Sequence, residues 1–160
     1  MAGLDYAALS RKLVGPSEWL GTRYYIGQVR QVGNTQLYAD QRRFLARLRA
    51  TDRRISCHLG RIEPRTVNSK TVDVMLAVDM VVMAERDEFD AAYLLSADGD
   101  FTHAVGVVRS AGKRVYVASP SSGAQLASVA NAFIRLDRRW FKDCYRAWAR
   151  FARDARRAIT

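Results

Sequence analysis

Five short runs of β-branched, aromatic or aliphatic residues alternate with segments of helical period, and no other feature of the chain restricts its fold as much. The runs are Thr22–Val29, Arg54–Ile62, Ala91–Ser96, Arg114–Ala118 and Phe133–Leu136. Between them, Thr35–Thr51, Thr71–Ala84, Phe101–Ser110 and Ala124–Ala130 space their apolar residues as helices do. A first helix, Leu4–Val14, places Leu4, Ala8, Leu9 and Leu13 on one side and stops at Gly15-Pro16. Strands joined through helices pair in parallel, because a parallel connection needs a long crossover. The expectation is an α/β fold, a parallel sheet with helices on both faces. Thr35–Thr51 should turn Leu37, Phe44, Leu45 and Leu48 inward, and Thr71–Ala84, apolar on nearly every side, should be a buried helix.

Composition narrows the functions. A chain of 160 residues, 49% apolar and 26% charged, suits one packed domain rather than disorder. The longest uncharged stretch, Val115–Ile134, contains Ser119-Pro120-Ser121-Ser122-Gly123 and cannot span a membrane. No basic-then-apolar leader follows Met1, so a cytoplasmic protein is expected. Cys57 and Cys144 cannot build a disulfide framework. With His58 and His103 they match no zinc spacing, and neighbours on a strand such as Cys57 and His58 face opposite ways. The net charge of +10 is concentrated: Arg135–Thr160 holds nine basic residues against three acidic ones. Such a segment fits a polyanion, nucleic acid ahead of an anionic membrane surface.

In open α/β sheets, sites form beyond the carboxyl ends of strands. There the run Ala91–Leu95 leads into Ser96-Ala97-Asp98-Gly99-Asp100-Phe101, placing two carboxylates before a helix. The structural explanation is a turn at Asp98-Gly99 with Asp100 capping the helix. Asp73 lies in the first turn of the preceding helix, where the helix dipole favours a carboxylate in any case. Asp79, among Leu76, Val78, Met80 and Val82, should be buried and so needs a partner. Of the two, Asp73 is the candidate for the site. Carboxylates at strand ends suit phosphodiester cleavage with Mg²⁺ or Mn²⁺, hard ions that take oxygen ligands. Asp98-Gly99-Asp100-Phe101-Thr102 also matches the D-x-D-x-T nucleophile loop of haloacid-dehalogenase-like phosphatases. That loop needs a downstream Lys and acidic pair, and the 60 residues after Asp100 hold no acidic pair.

The segment Lys70-x-x-Asp73-Val74-x-Leu76-Ala77-x-Asp79 resembles the second signature of the NYN domain family, a branch of the PIN-like nucleases. Phe89-Asp90-x-Ala92-x-Leu94-Leu95-Ser96-x-Asp98-x-Asp100-Phe101 resembles its third. Gly112-Lys113-Arg114-Val115 and Leu126–Leu136 fit its closing strands and helix, so the resemblance covers Leu4 to Leu136. It implies a Rossmann-like three-layer fold over residues 1–136 and metal-dependent ribonuclease activity. By motif position Asp73, Asp98 and Asp100 fall on the family's metal-binding, catalytic residues, for Mg²⁺ or Mn²⁺, with Lys70 and Ser96 beside them as substrate contacts. The alternative on the same fold is a non-catalytic RNA-binding module. Family members normally open with an apolar strand ending in an Asp-Gly-x-Asn-like turn, and here the first helix follows Met1 directly. Asp5 caps that helix and is no substitute. Thr22–Val29 and Ala91–Ser96 are therefore expected either to lack a partner on one side or to be forced together. A longer product carrying about 10–15 further residues should supply the strand. The chain as it stands should bind metal weakly, cleave poorly and tend to self-associate.

Residues 137–160 are expected to form a long basic helix. Phe141, Tyr145, Trp148, Ala152, Ala155 and Ile159 make an apolar stripe beside a basic one that includes Arg139, Lys142, Arg146 and Arg150. The basic stripe is a candidate rail for single-stranded RNA, with Trp140 or another exposed aromatic stacking on bases.

Overall fold

Asp5 starts the first helix as expected: its carboxylate accepts hydrogen bonds from the Ala7 and Ala8 N–H groups, both at 3.0 Å. Gly15 ends it with a φ of 63°, a left-handed conformation that glycine adopts without strain. A computed structural model describes residues 3–61 and 70–145. In chain order the elements are α1 (Tyr6–Val14), β1 (Thr22–Gln28), α2 (Thr35–Thr51), β2 (Ile55–Arg61), α3 (Lys70–Glu85) and β3 (Ala91–Leu95). A 3₁₀ turn (Gly99–Phe101) then leads into α4 (Thr102–Ser110), β4 (Arg114–Ser119), α5 (Ala124–Val129), β5 (Ala132–Arg135) and α6 (Arg138–Phe141).

All pairing is parallel, in two groups. β1 pairs with β2 from Thr22 opposite Ile55 to Gln28 opposite Arg61. β4 lies between β3 and β5, with Ala91 opposite Arg114 and Tyr116 opposite Ala132. Among the described residues β1 and β3 do not pair with each other, so each keeps an open edge. The two sheets are held together by helices instead. On one face α1 packs Ala7 with Trp19, Leu48 and Ile55, and Leu9 and Leu13 with Ala118, Leu136 and Tyr93. On the other, α3 sets Met80 and Ala84 against Leu94, α4 and α5, while Asp79 reaches β1. The lack of a strand neighbour shows in burial. Val115 and Val117 of β4 are fully buried, whereas β3 buries only Leu94 and leaves Leu95 exposed.

Three expectations need correction. α3 is not buried all round: Val74 and Val78 are 60% and 54% exposed, because the helix turns Val72, Met80 and Ala84 inward and nothing described covers the opposite side. Leu37 is exposed as well, since it sits in the first turn of α2 ahead of Leu45 and Leu48, which reach the sheet. The C-terminal helix stops at Phe141, gives way to a 3₁₀ turn over Lys142–Cys144, and Tyr145 forms an antiparallel bridge with Leu4. Helix-forming acceptors there are taken by tertiary partners. Lys12 Nζ donates to the Trp140 carbonyl at 2.6 Å, and the Asp5 N–H donates to the Cys144 carbonyl at 2.7 Å. Cys144 is thereby buried with Leu9, Leu13 and Leu136. Residues 146–160, including Arg146 and Arg150, lie outside the described residues. Among the described residues no helix is long and apolar enough to cross a membrane.

Candidate active site

At the carboxyl end of β3 the chain reverses through two successive side-chain-to-backbone bonds. Ser96 Oγ accepts from the Asp98 N–H, and Asp98 Oδ1 accepts from the Asp100 N–H, each at 3.0 Å. Asp98, not Asp100, is therefore the cap, because its carboxylate reaches the N–H two residues on while Asp100 already lies inside the 3₁₀ turn. Thr102 Oγ1 closes the turn by donating to the Gly99 carbonyl at 2.5 Å. Both aspartates are exposed. The Asp100 carboxylate enters no hydrogen bond or ion pair among the described residues, which leaves it open to a ligand from solvent.

A second loop leans on this one. A Cβ at Gly123, whose φ is +48°, would stand 3.4 Å from Ala97 Cα, so the β4–α5 connection packs directly against the acidic turn. The Gln125 side-chain amide lies over Gly99, where any Cβ would collide with it. Gln125 is a neighbour of the site that the sequence did not disclose. Its only local signal is a polar residue in the first turn after Gly123, and the contact with Gly99 spans segments far apart in the chain.

Asp73 occupies the first turn of α3 and is half-buried. It does not complete a triad here: among the described residues no three His, Cys, Asp or Glu side chains are grouped so as to hold one metal ion. The structure thus brings Asp98 and Asp100 together and keeps Asp73 on a separate element. Lys70 opens α3. Its height over β2 is set by Gly60, where a Cβ would lie 2.7 Å from Val72 Cγ2 and 3.4 Å from the Val72 backbone. Gly60→Ala should consequently push the first turn of α3, and Asp73 with it, off the sheet. The expected cost is about 1–3 kcal/mol, read as a lower urea midpoint.

Asp79 is not buried as expected, since its side chain, at the margin of the side of α3 that nothing described covers, is 35% exposed, but it does have partners. It accepts from Tyr25 Oη at 2.7 Å and from Arg23 at 3.3 Å, fastening α3 to β1. Burial, then the bond to Asp79, raise the Tyr25 phenol well above its ordinary range. The Tyr25 ring stacks on His58 with centroids 4.8 Å apart. Burial and the Arg23 charge lower the His58 pKa, against the opposing pull of Asp79. Tyr24 and Cys57 pack on the α1–α2 face instead, so Cys57 and His58 do face opposite ways.

Arg139 and Lys142 are exposed on the C-terminal segment that packs against α1. Trp140 is not a free stacking surface. Lys12 Nζ sits 5.0 Å from its ring centroid, Phe141 packs edge-on at 5.6 Å, and the indole joins the cluster around Leu9 and Leu13.

The family model described as NYN domain matches residues 2–137. No curated protein matches the chain at a significant level. Among solved structures, a crystal structure of a protein of unknown function from Vibrio parahaemolyticus RIMD 2210633 is similar, with a TM-score of 0.64 and 24% identity. The similarity covers 89% of this chain and 82% of that one, and it bears on the fold alone.

Proposed function

The chain belongs to the NYN domain family, and on that premise we propose that it is a metal-dependent ribonuclease acting on single-stranded RNA in the cytoplasm. The observation that carries the reading is the exposed Asp98–Asp100 pair at the carboxyl end of β3, with the Asp100 carboxylate uncommitted among the described residues. The donor set fits the ion. Mg²⁺ and Mn²⁺ use few protein carboxylates and complete their shells with water and substrate phosphate oxygens. When bound, such an ion supplies charge neutralisation at the scissile phosphate and an acidified water. Asp98 and Asp100 would hold it, with Asp73 of α3 as the third carboxylate of the proposed site. Ser96 keeps the turn in shape through its bond to the Asp98 N–H. Gln125, over Gly99, walls the turn on the α5 side.

The two-carboxylate grouping also favours a second reading, an RNA-binding module that does not cleave. Titrating Mn²⁺ into the protein with a labelled single-stranded RNA separates the two. Cleavage that rises with Mn²⁺ and stops with a chelator is expected. RNA retention with no cleavage at any Mn²⁺ concentration would establish the module instead.

A further inference from the structure

The charge on this chain is not carried by its C-terminal segment alone. Residues 30–54 contain seven arginines, no lysine and two aspartates. Arg43 pairs with Asp40 and Arg54 with Asp52. Arg30, Arg42, Arg47, Arg49 and Arg53 are exposed and make no ion pair among the described residues. The surplus therefore lies on and around α2, in a form that a solvated helix face does not require.

Its placement is informative. Gln41 Nε2 donates to the Gly27 carbonyl at 2.7 Å and its Oε1 accepts from the Val29 N–H at 2.9 Å, tying this part of α2 to the carboxyl end of β1. Tyr38 and Arg42, on either side of Gln41 in the helix, thus stand at the same rim of the fold as Asp98 and Asp100. The Arg42 guanidinium lies 5.8 Å from the Tyr38 ring centroid. Arg30, just past the carboxyl end of β1, shares this rim, whereas Arg49 lies two turns further along α2, about 10 Å toward the amino end of β1 and beside Cys57. Phe44, by contrast, packs on Tyr6 of α1, so the Tyr38–Arg42 flank faces away from α1.

We propose that this flank of α2, with Arg30 beside it, is a contact surface for single-stranded RNA and leads the strand along the rim to the acidic turn. The proposal deepens the ribonuclease reading and rests on it. Guanidinium groups grip phosphate oxygens with paired N–H donors, and a half-exposed tyrosine beside them offers a base a face to stack on. The exclusive use of arginine also speaks for RNA over a lipid surface, where lysine serves equally well as a point charge.

The test uses the full chain carrying Asp98→Asn, so that RNA is bound and not consumed, and follows a labelled oligouridylate across a salt series. Adding Arg30→Gln and Arg42→Gln should weaken binding at least tenfold and lower the log–log salt slope by about 1.4, two phosphate contacts at about 0.7 each. Tyr38→Ala should weaken binding about fivefold or more with little change of slope. Arg86→Gln, at the far end of α3, removes a charge as a control and should leave the slope alone. Matching thermal melts show that each variant is folded. A double variant with the parent's slope, or with a loss no larger than that of Arg86→Gln, overturns the proposal while leaving RNA binding intact. Absence of RNA binding by the Asp98→Asn parent at any salt concentration overturns the ribonuclease reading itself. Loss of binding to phosphatidylserine vesicles in the double variant, with RNA binding unchanged, identifies the surface as a lipid one.

Discussion

Asp98→Asn is expected to lower RNA cleavage by about 100-fold or more while the protein melts at the same temperature or slightly higher. A metal ion contributes several kcal/mol to the stabilisation of a phosphoryl transition state, and each 1.4 kcal/mol is about tenfold in rate. Loss of one of only two adjacent carboxylates should remove much of that. The fold should not suffer, because asparagine caps a helical turn as well as aspartate does and can keep the 3.0 Å bond from the Asp100 N–H. The substitution also removes one of two neighbouring negative charges, which relieves repulsion when no metal is bound. Cleavage assays with Mn²⁺ beside a melting curve check both halves. Unchanged cleavage would remove Asp98 from the site.

Leu126→Ala should produce the largest loss of stability, about 2–5 kcal/mol, from a total of about 5–15 kcal/mol for a domain of ordinary stability. Leu126 is fully buried among Phe101, Val105, Val108, Val115 and Val117. It is also the one buried residue of α5, a helix of six residues that is too short to persist without tertiary packing. Emptying its pocket loosens α5 and carries Gln125 away from Gly99, so cleavage should fall along with the urea midpoint. A loss below about 1 kcal/mol would mean that α5 is anchored some other way.

The elements were legible because their limits are chemical. Asp5, Gly15-Pro16, Gly33-Asn34 and Gly112 punctuate the chain where the helices begin and end, and α2 runs over Thr35–Thr51 as its periodicity predicts. The location of the acidic turn followed from the strand-end rule. Which aspartate caps it did not, since either can form a local bond and the outcome depends on where the 3₁₀ turn starts. Surface assignments on α3 were beyond reach, because a helix apolar on every side carries no pattern to say which side is left uncovered. Within the described part of the C-terminal segment, the stretch 142–145 departs from the expected helix for a different reason. Its four-and-three spacing favours a helix, and Lys12 and Asp5, more than a hundred residues away, compete for its carbonyls. Gln125 over Gly99 and the rim position of Tyr38 and Arg42 are likewise products of long-range packing.

The break between β1 and β3 has a mechanical consequence. Ladder hydrogen bonds make a sheet stiff against sliding, and across this break none links the two strands among the described residues. Side-chain packing through α1 and α3, with the Asp79 bonds to Arg23 and Tyr25, is what resists displacement there. The softest distortion expected of the molecule is then a rocking of the β1–β2 half against the β3–β5 half about the helices α1 and α3 that they share. Because α2 rides on one half and the acidic turn on the other, that rocking changes the separation between Arg42 and the Asp98–Asp100 turn.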